Sequence, residues 1–160
     1  MNKKKIINVL KIVVLSAIIG LYLFKFLSPV VPYRISGQSM NPTLNDGQFV
    51  WIDKTAYKKE SPKRGDIVVF HPNFFQTYVK RVIAIPGDRI RMCEGYVFVN
   101  SVRVDEDYVS ELAENAGILK NEITLDEGEY ICLGDNRNNS YDSREIGVVN
   151  IRKFVGRVKE

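Results

Sequence analysis

Serines, one histidine, a strand lysine and a loop dense in small polar residues are the parts of this 160-residue chain that can do covalent chemistry. The first string is Ser36-Gly37-Gln38-Ser39-Met40-Asn41-Pro42-Thr43-Leu44. Two serines flank a glycine and a proline comes closely after, so the backbone must turn sharply. Gly37 lets a second chain approach closely, as a nucleophile requires. By itself the string reads as an ordinary loop, and the chain has no Gly-x-Ser-x-Gly elbow. A serine is a weak nucleophile until a base takes its proton. His71, the single histidine, stands in Phe70-His71-Pro72-Asn73, a surface-turn context at the end of a strand. The alternative base is a buried lysine.

Lys80 lies within Tyr78-Val79-Lys80-Arg81-Val82-Ile83-Ala84-Ile85. Strand alternation puts Lys80 on one face with Tyr78, Val82 and Ala84, and Arg81 on the other with Val79, Ile83 and Ile85. An ordinary strand lysine snorkels to water, but apolar neighbours can desolvate the amine and disfavour its charged form. Lowering its pKa by about 2 to 3 from 10.4 costs roughly 3 to 4 kcal/mol and makes a usable base near neutrality. The third string, residues 134–144, reads Gly-Asp-Asn-Arg-Asn-Asn-Ser-Tyr-Asp-Ser-Arg directly after an apolar strand. Its Asp and Asn side chains can bond the local backbone, and Asp142 with Arg144, or Asp135 with Arg137, can form ion pairs. A solvated hairpin loop is the plain alternative. Asn138-Asn139-Ser140 also matches a glycosylation sequon, by chance.

The elements that must hold these strings are β. Residues 50–52, 66–70, 78–85, 96–99 and 129–133 are short runs of β-branched and aromatic residues separated by turn formers such as Asn45-Asp46-Gly47 and Pro86-Gly87-Asp88. The spacing predicts a mainly β fold, an antiparallel sheet or partly open barrel. Residues 105–121, with five acids and one lysine, read as a short helix or a mobile loop.

Ahead of these strands lie residues 6–27, apolar except for Asn8, Lys11, Ser16 and Lys25, and preceded by three lysines. These 22 residues make a helix of about 33 Å, the thickness of a bilayer. Lys11 and Lys25 can snorkel to the two interfaces. A cleavable secretory signal would end in small residues, whereas the exit here is Phe26-Leu27-Ser28-Pro29-Val30-Val31-Pro32. The reading is therefore a basic cytoplasmic tail at 1–5, a transmembrane anchor at 6–27 and an extracytoplasmic domain at 28–160, with the N-terminus inside. Five of the 23 basic residues sit in the first 27, which carry no acid; the remaining 18 face 19 acids. The net charge of +4 thus belongs to the anchor and gives no reason to expect nucleic acid. Cys93 and Cys132 can form a disulfide on an oxidising face, although two buried thiols fit better. With one histidine no zinc spacing exists, so neither metal nor cofactor is expected.

Taken in order, the strings resemble the bacterial type I signal peptidases. The patterns are Ser-Gly-x-Ser-Met-x-Pro-Thr-Leu at 36–44, Arg-Gly-Asp-Ile-Val-Val-Phe at 64–70, Tyr-Val-Lys-Arg-Val-Ile-Ala-Ile-Pro-Gly-Asp at 78–88 and Gly-Asp-Asn-Arg-x-Asn-Ser-x-Asp-Ser-Arg at 134–144. The resemblance implies a single-pass cell-membrane serine endopeptidase, monomeric, that cuts exported preproteins after Ala-x-Ala-like signal peptides through an acyl-enzyme. It assigns Ser39 as nucleophile, Lys80 as general base and Ser140 as the hydroxyl that orients the amine. Asp142 and Arg144 become a supporting pair beneath the dyad, and Met40 part of the floor. The Ser39 N–H becomes one oxyanion donor. Some family members carry a serine where Gly37 stands, so the second donor must be another backbone N–H or a water.

Three rivals compete with that assignment. A cytosolic self-cleaving Ser–Lys repressor lacks the anchor and needs a helix-turn-helix region that is absent here. A non-catalytic relative serving pilus or surface-protein assembly would not need Ser39, Lys80 and Ser140 together, whereas a catalytic relative restricted to one pilin-type substrate stays open. A tethered β binding module leaves the ordered strings unexplained.

Overall fold

The computed structural model of the chain describes residues 3–159; the side chains of residues 25–27, and with them the expected snorkelling of Lys25, lie outside the described residues. Helix α1 spans Lys3–Leu27. Its Ile, Val and Leu side chains from Ile6 to Leu23 are exposed, and no part of Lys3–Phe24 is buried against the rest of the chain. At 25 residues it is about 38 Å long, enough to cross a bilayer. The helix stops at Ser28, because the residue before Pro29 is pushed out of the α region.

Beyond Ser28 the chain is mainly β, as expected, but divided into two sheets. β1 (Val30–Arg34), β2 (Phe49–Asp53), β3 (Ile67–Asn73) and β4 (Gln76–Ala84) come first. Then come β5 (Arg89–Cys93), β6 (Tyr96–Val99), β7 (Val102–Arg103), β8 (Ile123–Thr124) and β9 (Glu129–Leu133), and after them a short helix α2 (Ser143–Ile146), β10 (Val149–Asn150) and β11 (Phe154–Lys159). One sheet has the order β1-β2-β11-β3-β4-β9-β10 and the other β7-β6-β5-β8. All five runs picked out by composition are strands. The strands not foreseen are short, charged or, in β1, interrupted by Pro32, which an edge strand tolerates.

β4 sits deep in the larger sheet, between β3 and β9. Val79 to Ala84 are all buried, so both of its faces pack. Strict alternation fails after Val82, where a bulge shifts the register against β9. Ile83 and Ala84 consequently join one core cluster with Ile90, Val97, Leu119 and Leu133. Ile85 returns to the Lys80 side, packing with Val68, Phe70, Val82, Tyr130 and Cys132. Ala84 therefore does not share Lys80's face, nor Ile85 that of Arg81. The extra residue of a bulge inverts the parity of everything beyond it.

Both cysteines are free. Cys132 is buried as expected, but Cys93 is exposed, at an outward position of β5. The segment 105–121 is neither a regular helix nor a detached loop. It ends in a 3-10 turn at Gly117–Lys120, and Ala113 and Leu119 are buried in the first cluster. Leu119→Ala should therefore lower the unfolding free energy by about 2–5 kcal/mol in a urea titration, the cost of a cavity in a packed core. A loss below about 0.5 kcal/mol, typical of a surface position, would show that this segment is not part of the core.

Candidate active site

Three elements converge. The loop after β1 carries Ser39, β4 carries Lys80, and the loop between β9 and α2 closes over both. Gly37 has φ of +93°, a left-handed conformation that only glycine adopts at little cost. Its N–H donates to Asp46 Oδ1 at 2.8 Å. Met40 is 1 % exposed and packs with Ile35, Leu44 and Val79, so it pins the loop beneath Ser39. The Gln38 carbonyl accepts from the Asn41 N–H and from Asn136 Nδ2. Because a peptide unit is planar, this holds the Ser39 N–H pointing the opposite way.

Lys80 Nζ stands 2.6 Å from Ser39 Oγ. The residue is only 4 % exposed, and its amine also lies 5.5 Å from the centre of the Tyr78 ring. Burial lowers the Lys80 pKa from 10.5 to about 8; Asp142 pulls it upward and Arg144 lowers it further. Desolvation wins over the carboxylate because the Asp142 charge is already neutralised by Arg144. Arg144 Nε donates to Asp142 Oδ1 at 2.9 Å and its NH2 donates to Oδ2 at 2.9 Å. Burial would raise the Asp142 pKa, yet these bonds and one from the Gly134 N–H hold it below the usual carboxylate value.

Ser140 donates its hydroxyl proton to Asp142 Oδ2 at 2.7 Å. Among the described residues no hydrogen bond joins it to Lys80, unlike the orienting contact that the resemblance implies. Gly134 explains how close these groups lie. A Cβ there would fall 2.6 Å from Ser140 Cβ and 2.5 Å from the Ser39 carbonyl oxygen. That carbonyl also accepts from the Asn136 N–H at 3.0 Å.

Of the two ion pairs that the third string allows, Asp142–Arg144 forms and Asp135–Arg137 does not. Asp135 instead accepts two bonds from Arg81, 54 residues away, and one from Thr43 Oγ1. Arg137 is held by Glu106 through NH1 at 2.9 Å and NH2 at 2.7 Å, while its Nε donates to the Gly134 carbonyl. Tyr108 bonds Glu106 and stacks over the Arg81 guanidinium at 4.1 Å. Sequence reasoning missed Arg81, Thr43, Glu106 and Tyr108. Thr43 and Arg81 stand inside the strings 36–44 and 78–88, whereas Glu106 and Tyr108 were signalled only by an acid cluster in a segment without periodicity.

A groove of about 300 Å³ runs past the pair, lined by Tyr33, Ile35 and 36–40 on one side and by 77–80, Asn139 and Tyr141 on the other. Its walls are unpaired strand edges. Among the described residues β1 pairs with β2 alone, and β9 meets β4 from Arg81 onward. An extended peptide can add itself between them by backbone hydrogen bonds, with alternate side chains turned into the groove. His71 is exposed, its Nδ1 3.2 Å from the Gln76 carbonyl and 3.1 Å from Thr77 Oγ1. Among the described residues no cluster of His, Cys, Asp or Glu could hold a metal ion.

Residues 6–160 match the family described as signal peptidase, peptidase S26. The chain is 35% identical over 173 residues to signal peptidase IB of Staphylococcus aureus strain COL, covering 98% of this chain and 88% of that protein. It is 40% identical over 137 residues to signal peptidase I of Bacillus caldolyticus, covering 79% and 75% respectively. A probable signal peptidase I-2 of Synechocystis is 40% identical over 131 residues, 77% of this chain, although the chain spans only 58% of that relative. The crystal structure of a signal peptidase I from Enterococcus faecalis V583 superposes with a TM-score of 0.52 at 29% identity, covering 62% of this chain and 98% of that one.

The buried charges make two stability measurements decisive. Because burial depresses the Lys80 pKa, its protonated form costs folding about 3 kcal/mol below pH 8, and that cost disappears as the pH rises toward 10.5. The wild type should gain that amount between pH 8 and 10.5 in denaturant titrations, and Lys80→Met should not. Asp135→Ala takes the one carboxylate bonded through two nitrogens from the buried Arg81 guanidinium and should cost about 3–5 kcal/mol. A loss under about 1 kcal/mol would mean that the pair holds nothing.

Proposed function

Since the chain belongs to the signal peptidase S26 family, we propose that it is a membrane-bound serine endopeptidase that removes signal peptides from exported preproteins by a Ser39–Lys80 dyad. The observation that carries this reading is the 2.6 Å contact between a buried amine and the Ser39 hydroxyl. With a pKa of about 8, about one amine in ten is neutral at pH 7, roughly a hundredfold or more above the fraction for a hydrated lysine. The neutral amine accepts the Ser39 proton as Oγ attacks the scissile carbonyl carbon. The oxyanion is met by the Ser39 N–H, which no acceptor takes among the described residues. Collapse breaks the C–N bond, and the Lys80 ammonium returns its proton to the departing amine. In the second half Lys80 takes a proton from water, the hydroxide attacks the Ser39 ester, and the serine leaves with the proton.

Asp142, Arg144 and Ser140 support this cycle by position. Ser140 has committed its proton to Asp142, so only its lone pairs face outward, where they would accept an N–H of Lys80 and turn the amine lone pair toward Ser39. The Gly37 N–H is occupied by Asp46, so the second oxyanion donor is another N–H or a water. Substrate would lie as an added strand in the groove, its small side chains in shallow pockets between Ile35, Met40 and Val79. The basic tail at 1–5 sets the N-terminus in the cytoplasm, residues 6–27 cross the membrane, and 28–160 act outside as a monomer. A silent relative would bear the cost of a desolvated lysine with no return.

Ser39→Ala and Lys80→Ala should each abolish cleavage of an Ala-x-Ala preprotein in detergent while the β domain stays folded. Either variant turning over like the wild type would sink the dyad. kcat/KM should rise about tenfold per pH unit below 8 and level off above it, as Lys80 loses its proton. A profile flat from pH 5 to 7 is incompatible with a lysine base.

A further inference from the structure

The hairpin that carries Lys80 ends in two phenylalanines that pack against nothing among the described residues. Phe74 and Phe75 are 103% and 98% exposed. The turn beneath them is nevertheless well made. Asn73 Oδ1 accepts the N–H groups of Phe75 and Gln76, and Asn73 Nδ2 donates to Gln76 Oε1 at 2.7 Å. An ordered turn therefore holds both rings outward, a costly arrangement in water.

Strand register shows which way they point. Val30, at the α1 end of β1, lies level with Asp53, Asp53 with Arg157, and Arg157 with Val68. Passing from Arg34 to Val30 along β1, toward α1, is the same direction as passing from Val68 through Phe70 to the hairpin tip. The tip extends six residues beyond Val68, about 20 Å. Three inter-strand steps of about 20–25° turn it sideways, which leaves roughly 5–10 Å of reach toward the end where the helix enters. Val30 is only three residues past Leu27 and so at most about 10 Å above the bilayer. The tip can reach the headgroup layer.

The surroundings of the tip are basic. Arg152 and Lys153 are exposed, and Lys153 Nζ donates to the Pro72 carbonyl at the base of the hairpin. Tyr57 packs on Phe154, which sets exposed Lys58 and Lys59 on the same end of the sheet. The Lys54 N–H bonds the Pro29 carbonyl, tying this turn to the exit of the helix. Aromatic rings favour the membrane–water interface, and a collar of lysine and arginine is drawn to anionic lipid.

We propose that the β3–β4 tip is a second membrane contact, with Phe74 and Phe75 inserted among anionic headgroups and Lys58, Lys59, Arg152 and Lys153 against their phosphates. It rests on the reading that α1 crosses the bilayer. Because Lys80 lies four residues along β4 from Gln76, this contact sets the height of the dyad above the membrane. A second copy of the chain, or another protein, is the competing occupant.

The test uses the full chain in vesicles of phosphatidylcholine and phosphatidylglycerol brominated near the headgroup. Trp51→Phe removes the single tryptophan; Phe75→Trp then reports on the tip, and Tyr22→Trp, in α1, on the anchor. Both should be quenched, and quenching at position 75 should fall at least twofold when phosphatidylglycerol is omitted. Quenching at position 22 alone overturns the hairpin contact and leaves the anchor standing; quenching at neither removes both. Quenching at 75 that is indifferent to phosphatidylglycerol overturns the role of the basic collar. A dimer of the wild type in detergent, measured by sedimentation, that the Phe74→Ser, Phe75→Ser chain fails to form overturns the lipid contact in favour of a second copy. The Phe74→Ser, Phe75→Ser chain should cleave a short soluble peptide in detergent at the wild-type rate, and a preprotein in vesicles at least about tenfold more slowly. Equal rates in vesicles would refute a working role for the tip.

Discussion

A lysine amine can act as a base near neutrality only where water is kept from it, and keeping water from it costs folding energy. The Lys80 environment meets that demand with apolar neighbours on its own face, Val68, Val82 and Cys132 among them. The depressed amine pKa arises from burial before any charge is counted. The other parts of the site can be understood as means of holding a polar hydroxyl, and little else, against that dry amine. The Ser39 carbonyl and the Gln38 carbonyl are both tied to the loop after β9, so the hydroxyl has little freedom to withdraw.

Three buried ion pairs make that loop rigid: Arg81 with Asp135, Arg137 with Glu106, and Arg144 with Asp142. Each is an arginine bound through two nitrogens, which fixes an angle as well as a distance. Arginine suits the place for a further reason. A guanidinium keeps its charge throughout the range in which Lys80 titrates, so its neighbours present a constant field while the amine changes state. Such pairs add little net stability because desolvation consumes most of their attraction. Their value lies in what they connect, since they join β4, the β9–α2 loop and the acidic segment around Glu106 into one body.

β4 has two tasks. Its buried half, from Val79 to Ala84, carries Lys80 and much of the core, while its exposed end turns through Phe74 and Phe75. A strand is stiff along its length, so whatever fixes its tip also fixes the height of its middle. The unpaired edges beside Ser39 and Lys80 lie in the same groove, so a peptide held there is registered against the sheet that positions both groups of the proposed dyad.

Many of these features were legible in the residues themselves. Apolar length behind a lysine cluster marked the helix, β-branched runs between turn formers marked the major strands, and the strings around 39, 80 and 140–144 marked the side chains that the fold brings together. These signals are local, because hydrophobic spacing, turn propensity and motif order are properties of neighbours along the chain. The tertiary structure decided the non-local matters: that Asp135 pairs with Arg81 rather than Arg137, that Glu106 and Tyr108 belong to the site, that a bulge inverts the face of Ala84 and Ile85, and that Ser140 spends its proton on Asp142. Opposite charges are interchangeable as letters. Only folding determines which of them are brought within about 3 Å, because desolvation makes that choice by distance in space and not along the sequence.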